Sequence, residues 1–273
     1  MGSRVLLAQG REAEVFLEAD GAVLKLQRDP AYGDRVQREA AALDALQRQG
    51  HLAPRVLRTV TVDGRPGLVM ERVDGGDLLS LLGRRPLQVF RGGAVMGEVH
   101  AAMHECRAPE DLPDLRNEVR RRIGAADALA GGLRERALAV LDGLPGGERL
   151  CHGDLHLGNI LGSWDAPVVI DWGDASRGDP VADVARTRLL HRFGVPPPGA
   201  PIVARALAPP GRRILAARYL SAYRRQTARP IDPSALERWE IVWAAARLWE
   251  PIPEEHPALL RFLRARLPTV EAG

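Results

Sequence analysis

Up to about residue 72 the apolar positions fall in short runs broken by turn residues. Beyond Asp77 they recur at the three-and-four spacing of helices. Strands are expected on both sides of Gly10, within 8–17, and over 22–27, 55–62 and 67–72. Asp20-Gly21 and Asp63-Gly64 suit the tight turns between them. One helix interrupts this series over 35–49, with Asp34 as expected N-cap and Gly50 as its stop. Its apolar stripe is Val36, Ala40, Leu43 and Leu46, and Glu39 lies at the edge of that stripe. After residue 77, helices are expected over 78–82, 86–105, 113–130, 133–144, 180–193, 210–227, 233–250 and 255–267. Two short strands interrupt them, 149–151 and the apolar run ending at Ile170. Asp179-Pro180 reads as an N-cap followed by proline at the first helical position.

Those two late strands frame the chemistry. The first runs into His152-Gly153-Asp154-Leu155-His156-Leu157-Gly158-Asn159, and the second ends at Asp171-Trp172-Gly173-Asp174. A carboxylate, an amide and a second carboxylate thus stand on neighbouring loops. Phosphoryl transfer from a nucleotide uses such a set: one acid takes the hydroxyl proton, and an Asn and an Asp hold magnesium against the phosphates.

This stretch resembles the catalytic loop of the aminoglycoside phosphotransferase and choline kinase family, His-Gly-Asp-x-x-x-x-Asn followed by Ile-Asp-Trp. The resemblance covers roughly 10–250. It implies an α+β, two-lobed protein-kinase-like fold, with a small antiparallel-sheet lobe bearing one helix and a larger helical lobe. It also implies that Asp154 is the catalytic base and that Asn159 and Asp171 hold Mg2+. His152 and His156 would then hold loop geometry, and Asp183 would brace the loops from behind.

A second signal is independent of the motif. Of 38 Lys plus Arg, one is lysine, Lys25, in the strand 22–27. Where arginine serves everywhere else, a surviving lysine marks a place for a compact ammonium on a flexible stem. In the kinase arrangement such a lysine binds the nucleotide phosphates and pairs with a helix Glu. Glu39 is the expected partner; an i,i+4 surface pair is its other reading. Gly10 sits where a turn could cover the phosphates, although there is a single glycine and no Gly-x-Gly-x-x-Gly. That turn also resembles the nucleotide loop of atypical protein kinases of the RIO and Bud kind. Met70, Glu71 and Val73 resemble the hinge that meets the adenine, which places the lobes at 1–72 and 73–273 with a pivot near 71–76.

Composition restricts the partners. Hydrophobic content of 45% and charge of 27% belong to a soluble globular chain. A pI near 9.3 with net charge +3 comes from scattered arginine, with aromatics at 4%, so no nucleic-acid surface is expected. Arg120-Arg121-Arg122 is the one tight basic cluster and reads as a solvated helix face. Cys106 and Cys151 read as reduced thiols in a cytoplasmic protein. No signal core or membrane span is expected. His100 and His104 stand one turn apart, but without a third ligand they read as packing residues.

The expected activity is transfer of the terminal phosphate of ATP or GTP to a hydroxyl of an aminoglycoside, amino sugar or similar metabolite, by a monomer or homodimer. Asp174, Trp239, Trp243 and Glu250 are the candidate acceptor residues, because aromatic walls with acids suit a cationic or sugar-like acceptor. The rival readings are an atypical protein kinase and a nucleotide-binding pseudokinase scaffold.

Overall fold

The computed structural model describes residues 5–51, 53–130, 132–195 and 209–267. Strands β1 (Val5–Gln9), β2 (Ala13–Leu17), β3 (Ala22–Gln27), β4 (Val56–Val62) and β5 (Arg65–Glu71) form an antiparallel sheet in the order β1-β2-β3-β5-β4. Asp63 and Gly64 make the β4–β5 turn with φ of 50° and 77°, the left-handed pair that a two-residue hairpin needs. Side chains alternate across β3. Leu24 and Leu26 join Val69 in a small cluster on one face. Lys25 therefore points to the other face, where helix α1 (Gly33–Arg48) packs Val36, Leu43 and Leu46 against Leu68 and Met70.

Helix α1 starts earlier than expected. Asp29 caps a short 3-10 turn, Pro30–Tyr32, by accepting from Ala31 N at 2.8 Å. The chain is already helical at Gly33, so Asp34 lies in the first turn and not at the cap. Its carboxylate there still meets the positive end of the helix dipole.

From Leu78 the described chain is mostly helical: α2 (Leu78–Arg84), α3 (Val89–Met103), α4 (Leu115–Gly124), α5 (Leu133–Asp142), α6 (Pro180–Phe193), α7 (Pro209–Gln226), α8 (Pro233–Arg247) and α9 (His256–Arg266). The helix expected over 86–105 divides into a 3-10 turn, Pro86–Gln88, and α3. Helix α4 stops at Gly124, short of residue 130, since glycine is a poor helix interior. Helices α3 and α7 approach closely: a Cβ at Gly97 would stand 2.4 Å from Tyr219 O.

Two short hairpin-like pairs lie among these helices. Strand β6 (Arg149–Cys151) pairs with β9 (Ser176–Gly178), and β7 (Ile160–Gly162) pairs with β8 (Pro167–Val169). Their order along the chain brings the β6–β7 loop beside the β8–β9 loop. Gly162 N also donates to Gly76 O at 3.1 Å, which ties the segment after β5 to β7.

Candidate active site

The loop from His152 to Asn159 is built from its own polar groups. His152 is buried; its Nε2–H donates to Ile170 O at 3.0 Å and its Nδ1 accepts from Asp154 N at 3.2 Å. Asn159 Nδ2 donates to Asp154 O at 3.0 Å, which leaves the amide oxygen of Asn159 available. Gly153 has φ of 80°, and a Cβ there would stand 2.9 Å from Asp174 O. Only glycine lets the two loops meet at that point. His156 Nδ1 accepts from Gly158 N at 3.0 Å, and its Nε2 lies 3.7 Å from Asp154 Oδ2.

Asp183, on α6, anchors the loop from below. Its carboxylate accepts from His152 N at 2.5 Å and Gly153 N at 2.9 Å. His100 and His104 Nε2 approach the same carboxylate at 3.1 and 3.3 Å. Burial disfavours its charge, but these bonds outweigh it and hold the carboxyl well below its ordinary range. Asp183 thus converts two histidines that looked like packing residues into hydrogen-bond partners.

Across the cleft, Lys25 Nζ lies 2.7 Å from Glu39 Oε2 and 2.7 Å from Asp171 Oδ1. Glu39 is buried and also accepts from Trp172 N at 3.2 Å. Burial alone would lower the lysine pKa; Asp171 and Glu39 together raise it above its usual value. Lys25 in turn lowers that of Asp171. Asp171 has φ of 68°, a conformation uncommon for a residue other than glycine, and its side chain stays 47% exposed. The backbone is therefore turned to present this carboxylate to the cleft.

The far wall is laced with arginine. Asp174 accepts from Arg122 at 2.8 Å and Arg35 at 3.1 Å. Burial opposes its charge, but Arg122 and Arg35 hold its carboxyl far below the carboxylate range. Glu250 pairs with Arg186 at 2.8 Å and with Arg247; against burial these hold its pKa at about 2. Arg186 Nε donates to Gly153 O at 3.0 Å, and its Nη2 reaches Asp154 Oδ1 at 3.5 Å. Arg122 is buried, which corrects the expectation of a solvated face at 120–122: Arg121 is exposed and Arg120 partly so, whereas Arg122 turns inward to Asp174.

Two acceptor candidates are also corrected. Trp239 is 0% exposed and Trp243 is 3% exposed. Trp239 donates to Asp179 Oδ2 at 3.3 Å and Trp243 to Ala182 O at 2.7 Å, so both indoles are core groups of the α6–α8 contact. One helix face carries them inward because their apolar bulk is worth more buried. The face of Trp243 lies under the Arg186 guanidinium, 5.2 Å from ring centre to Cζ. Arg122 and Arg186 were missed as candidates; their partners lie 52 and 64 residues away, and only burial marks them out.

The remaining candidates line the sheet side. Gly10 N donates to Ala13 O at 2.8 Å in the β1–β2 turn. That turn carries Glu12, whose carboxylate lies 2.8 Å from Arg35. Met70 is buried at the end of β5, Glu71 pairs with Arg55 at the surface, and Val73 follows half-buried.

A family model described as "Phosphotransferase enzyme family" matches residues 4–213. The chain belongs to the phosphotransferase enzyme family. Solved structures share its fold. The type VIII aminoglycoside-3'-phosphotransferase superposes with a TM-score of 0.62 at 20% identity, covering 91% of this chain and 93% of that one. The GDP and kanamycin complex of APH(2")-IIia gives 0.61 at 18%, covering 98% and 94%. A ternary complex of a thermostable APH(4)-Ia mutant with AMP-PNP and hygromycin B gives 0.60 at 18%, covering 97% and 91%. No curated protein matches the sequence. This phosphotransferase therefore has the two-part kinase-like architecture of those enzymes, a five-stranded sheet with one long helix followed by a helical region. No helix among its described residues is long and apolar enough to cross a membrane.

Proposed function

We propose that the chain transfers the terminal phosphate of ATP or GTP to a hydroxyl of a small molecule, with aminoglycosides and amino sugars as the first class to try. One observation carries this reading: Lys25 on β3, Asp154 and Asn159 on the β6–β7 loop, and Asp171 after β8 line one cleft in a family-matched chain. The kanamycin and hygromycin B complexes of similar folds support the acceptor class, and their AMP-PNP and GDP support the nucleotide.

In this reading Asp154 accepts the hydroxyl proton as the oxygen attacks the terminal phosphorus. Its backbone is held from two sides, by Asn159 on its carbonyl and His152 on its N–H, so the carboxylate is positioned before substrate arrives. Lys25 moves one of its donors from Asp171 to the phosphates while Glu39 keeps it in place. Residues near 71–76 form the pivot between lobes at 1–72 and 73–273, where Met70, Glu71 and Val73 meet the base.

The donor set fits magnesium. Among the described residues, the amide oxygen of Asn159 and Oδ2 of the part-exposed Asp171 carboxylate accept no hydrogen bond, while Lys25 holds Asp171 Oδ1. These are hard oxygen ligands of the kind Mg2+ takes. When bound, the ion would neutralise charge on the phosphates. Asp174 is less suited to a metal role, because both its oxygens already face guanidinium groups. A protein-kinase reading is disfavoured by the short path after Asp171, since β9 begins at Ser176. Two buried free cysteines suit the reducing cytoplasm.

The test compares wild type with Asp154→Asn for magnesium-dependent ATP and GTP consumption, against aminoglycosides, amino sugars, choline-like alcohols and protein substrates. Acceptor-stimulated turnover should fall about 10²–10⁴-fold in the mutant, the usual worth of a positioned base. Nucleotide binding should persist. Equal turnover in both proteins would remove Asp154 from the role of base.

A further inference from the structure

Beneath the loop that carries Asp154 lies a polar cluster that the reaction does not touch. On α3, His100 and His104 stand one turn apart; on α7, Tyr219 and Tyr223 stand one turn apart. The helices run side by side in the same direction, so the pairs meet in register. Tyr219 Oη lies 2.7 Å from His100 Nδ1, and Tyr223 Oη lies 2.7 Å from His104 Nδ1. Both Nε2 atoms reach Asp183, which holds the N–H groups of His152 and Gly153. Each of these side chains is buried.

The protonation pattern follows from elementary constraints. An ionised Asp183 can only accept. Both Nε2 atoms must therefore carry protons. Both Nδ1 atoms are then acceptors, since a neutral imidazole has one N–H. Both phenols must donate. Burial agrees: it holds His100 neutral, with its pKa lowered to about 4, and pushes the Tyr219 phenol up so that it keeps its proton. Every proton in the cluster points toward one carboxylate.

We propose that Tyr219 and Tyr223 are positioning residues for Asp154, acting through His100, His104 and Asp183 on the amides of His152 and Gly153. The phenols fix the imidazole tautomers. The imidazole N–H groups fix the Asp183 carboxylate, and that carboxylate fixes the peptide immediately before the proposed base. Close packing makes the link stiff: at Gly93 a Cβ would stand 2.7 Å from Leu215 O, so α3 and α7 cannot slide apart or past each other without disturbing the pairs. The three converging atoms of His100, His104 and Asp183 also satisfy the spacing of a metal site. Each already has a hydrogen-bond partner, so the cluster is complete as a hydrogen-bond relay.

The inference rests on Asp154 being the base, and its test separates the two. The full chain is prepared as wild type, Tyr219→Phe, Tyr223→Phe and the double variant; phenylalanine keeps the ring and removes only the donor. Hydrogen exchange at the His152 and Gly153 amides is measured together with kcat, KM and nucleotide affinity. The double variant should exchange those amides faster and lose kcat about tenfold, the effect of roughly 1.4 kcal/mol. Nucleotide affinity should stay within about twofold, because no relay atom faces the Lys25 side. Each single variant should fall between, which keeps the test informative if the double variant does not fold. Unchanged kcat overturns the proposal, even if exchange quickens, since the cluster would then be structural alone. A stoichiometric divalent metal that is lost on His104→Asn also overturns it. If wild type itself turns over no acceptor, the kinase reading fails. Exchange then decides alone: unaltered rates at the two amides sink the relay as well.

Discussion

The two sides of the cleft handle charge in opposite ways. On the sheet side one ammonium, Lys25, is shared between Glu39 and Asp171. On the helical side Arg122, Arg186 and Arg247 are tied to Asp174, Glu250 and Glu255, and Arg35 of α1 reaches across to Asp174. An ammonium is a point charge with three rotatable donors and can change partner with little rearrangement. A guanidinium is a rigid fork that locks two oxygens at once. The sheet side is thus suited to exchanging a carboxylate for a phosphate. The helical side is suited to staying put while an acceptor is held against it. The same contrast explains why arginine, used freely elsewhere in this chain, is absent at position 25.

The strongest way to break this comparison is to remove the shared charge. Lys25→Met should cost about 3–5 kcal/mol in urea denaturation, because buried Glu39 is left without its counter-charge. A loss under about 1 kcal/mol would mean that Glu39 is not held by Lys25. Acid offers a slightly smaller effect from the buried histidines beneath. His100 has its folded pKa lowered from 6.5 to about 4, so the unfolded chain binds the extra proton first. Stability should therefore drop as pH falls from 6.5 toward 4, by roughly 3 kcal/mol from this group. His100→Asn should flatten that stretch of the pH–stability curve; a curve of unaltered slope would show that His100 is not buried neutral. Next comes Arg122→Met, expected to cost about 2 kcal/mol, since Asp174 keeps Arg35. If it costs as much as Lys25→Met, the helical side has no redundancy. The smallest effect is Arg91→Ala, which breaks an exposed pair with Asp165 and should change the unfolding free energy by less than about 0.5 kcal/mol.

The same asymmetry decided what could be read from the sequence. Lys25 stood out by rarity, Asp154, Asn159 and Asp171 by a short motif, and Glu39 by its place at the edge of an apolar stripe. All are local signals. Arg122 and Arg186 carried none, being two of many arginines with partners far along the chain. Trp239 and Trp243 looked like an acceptor wall because residues four apart share a helix face, yet that rule does not say which face is wet. The cluster around Asp183 is half visible: His100 and His104 stand out as a pair one helical turn apart, whereas Tyr219 and Tyr223, at the same spacing, carry no sign of a partner. Pairing the two needed the α3–α7 contact, which only the folded chain supplies. The early start of α1 escaped for a local reason, the Asp29-Pro30 turn that makes the chain helical before Asp34.

A protease that cuts only after lysine has one bond to attack in this sequence, the one between Lys25 and Leu26. That bond lies in β3, hydrogen-bonded to β2 on one side and β5 on the other. Cleavage must wait until the middle of the sheet comes apart, so the rate of a single cut reports how often the sheet opens. Nucleotide bound at Lys25 would slow that cut in proportion to its occupancy, and the chain thereby carries its own one-site gauge of binding.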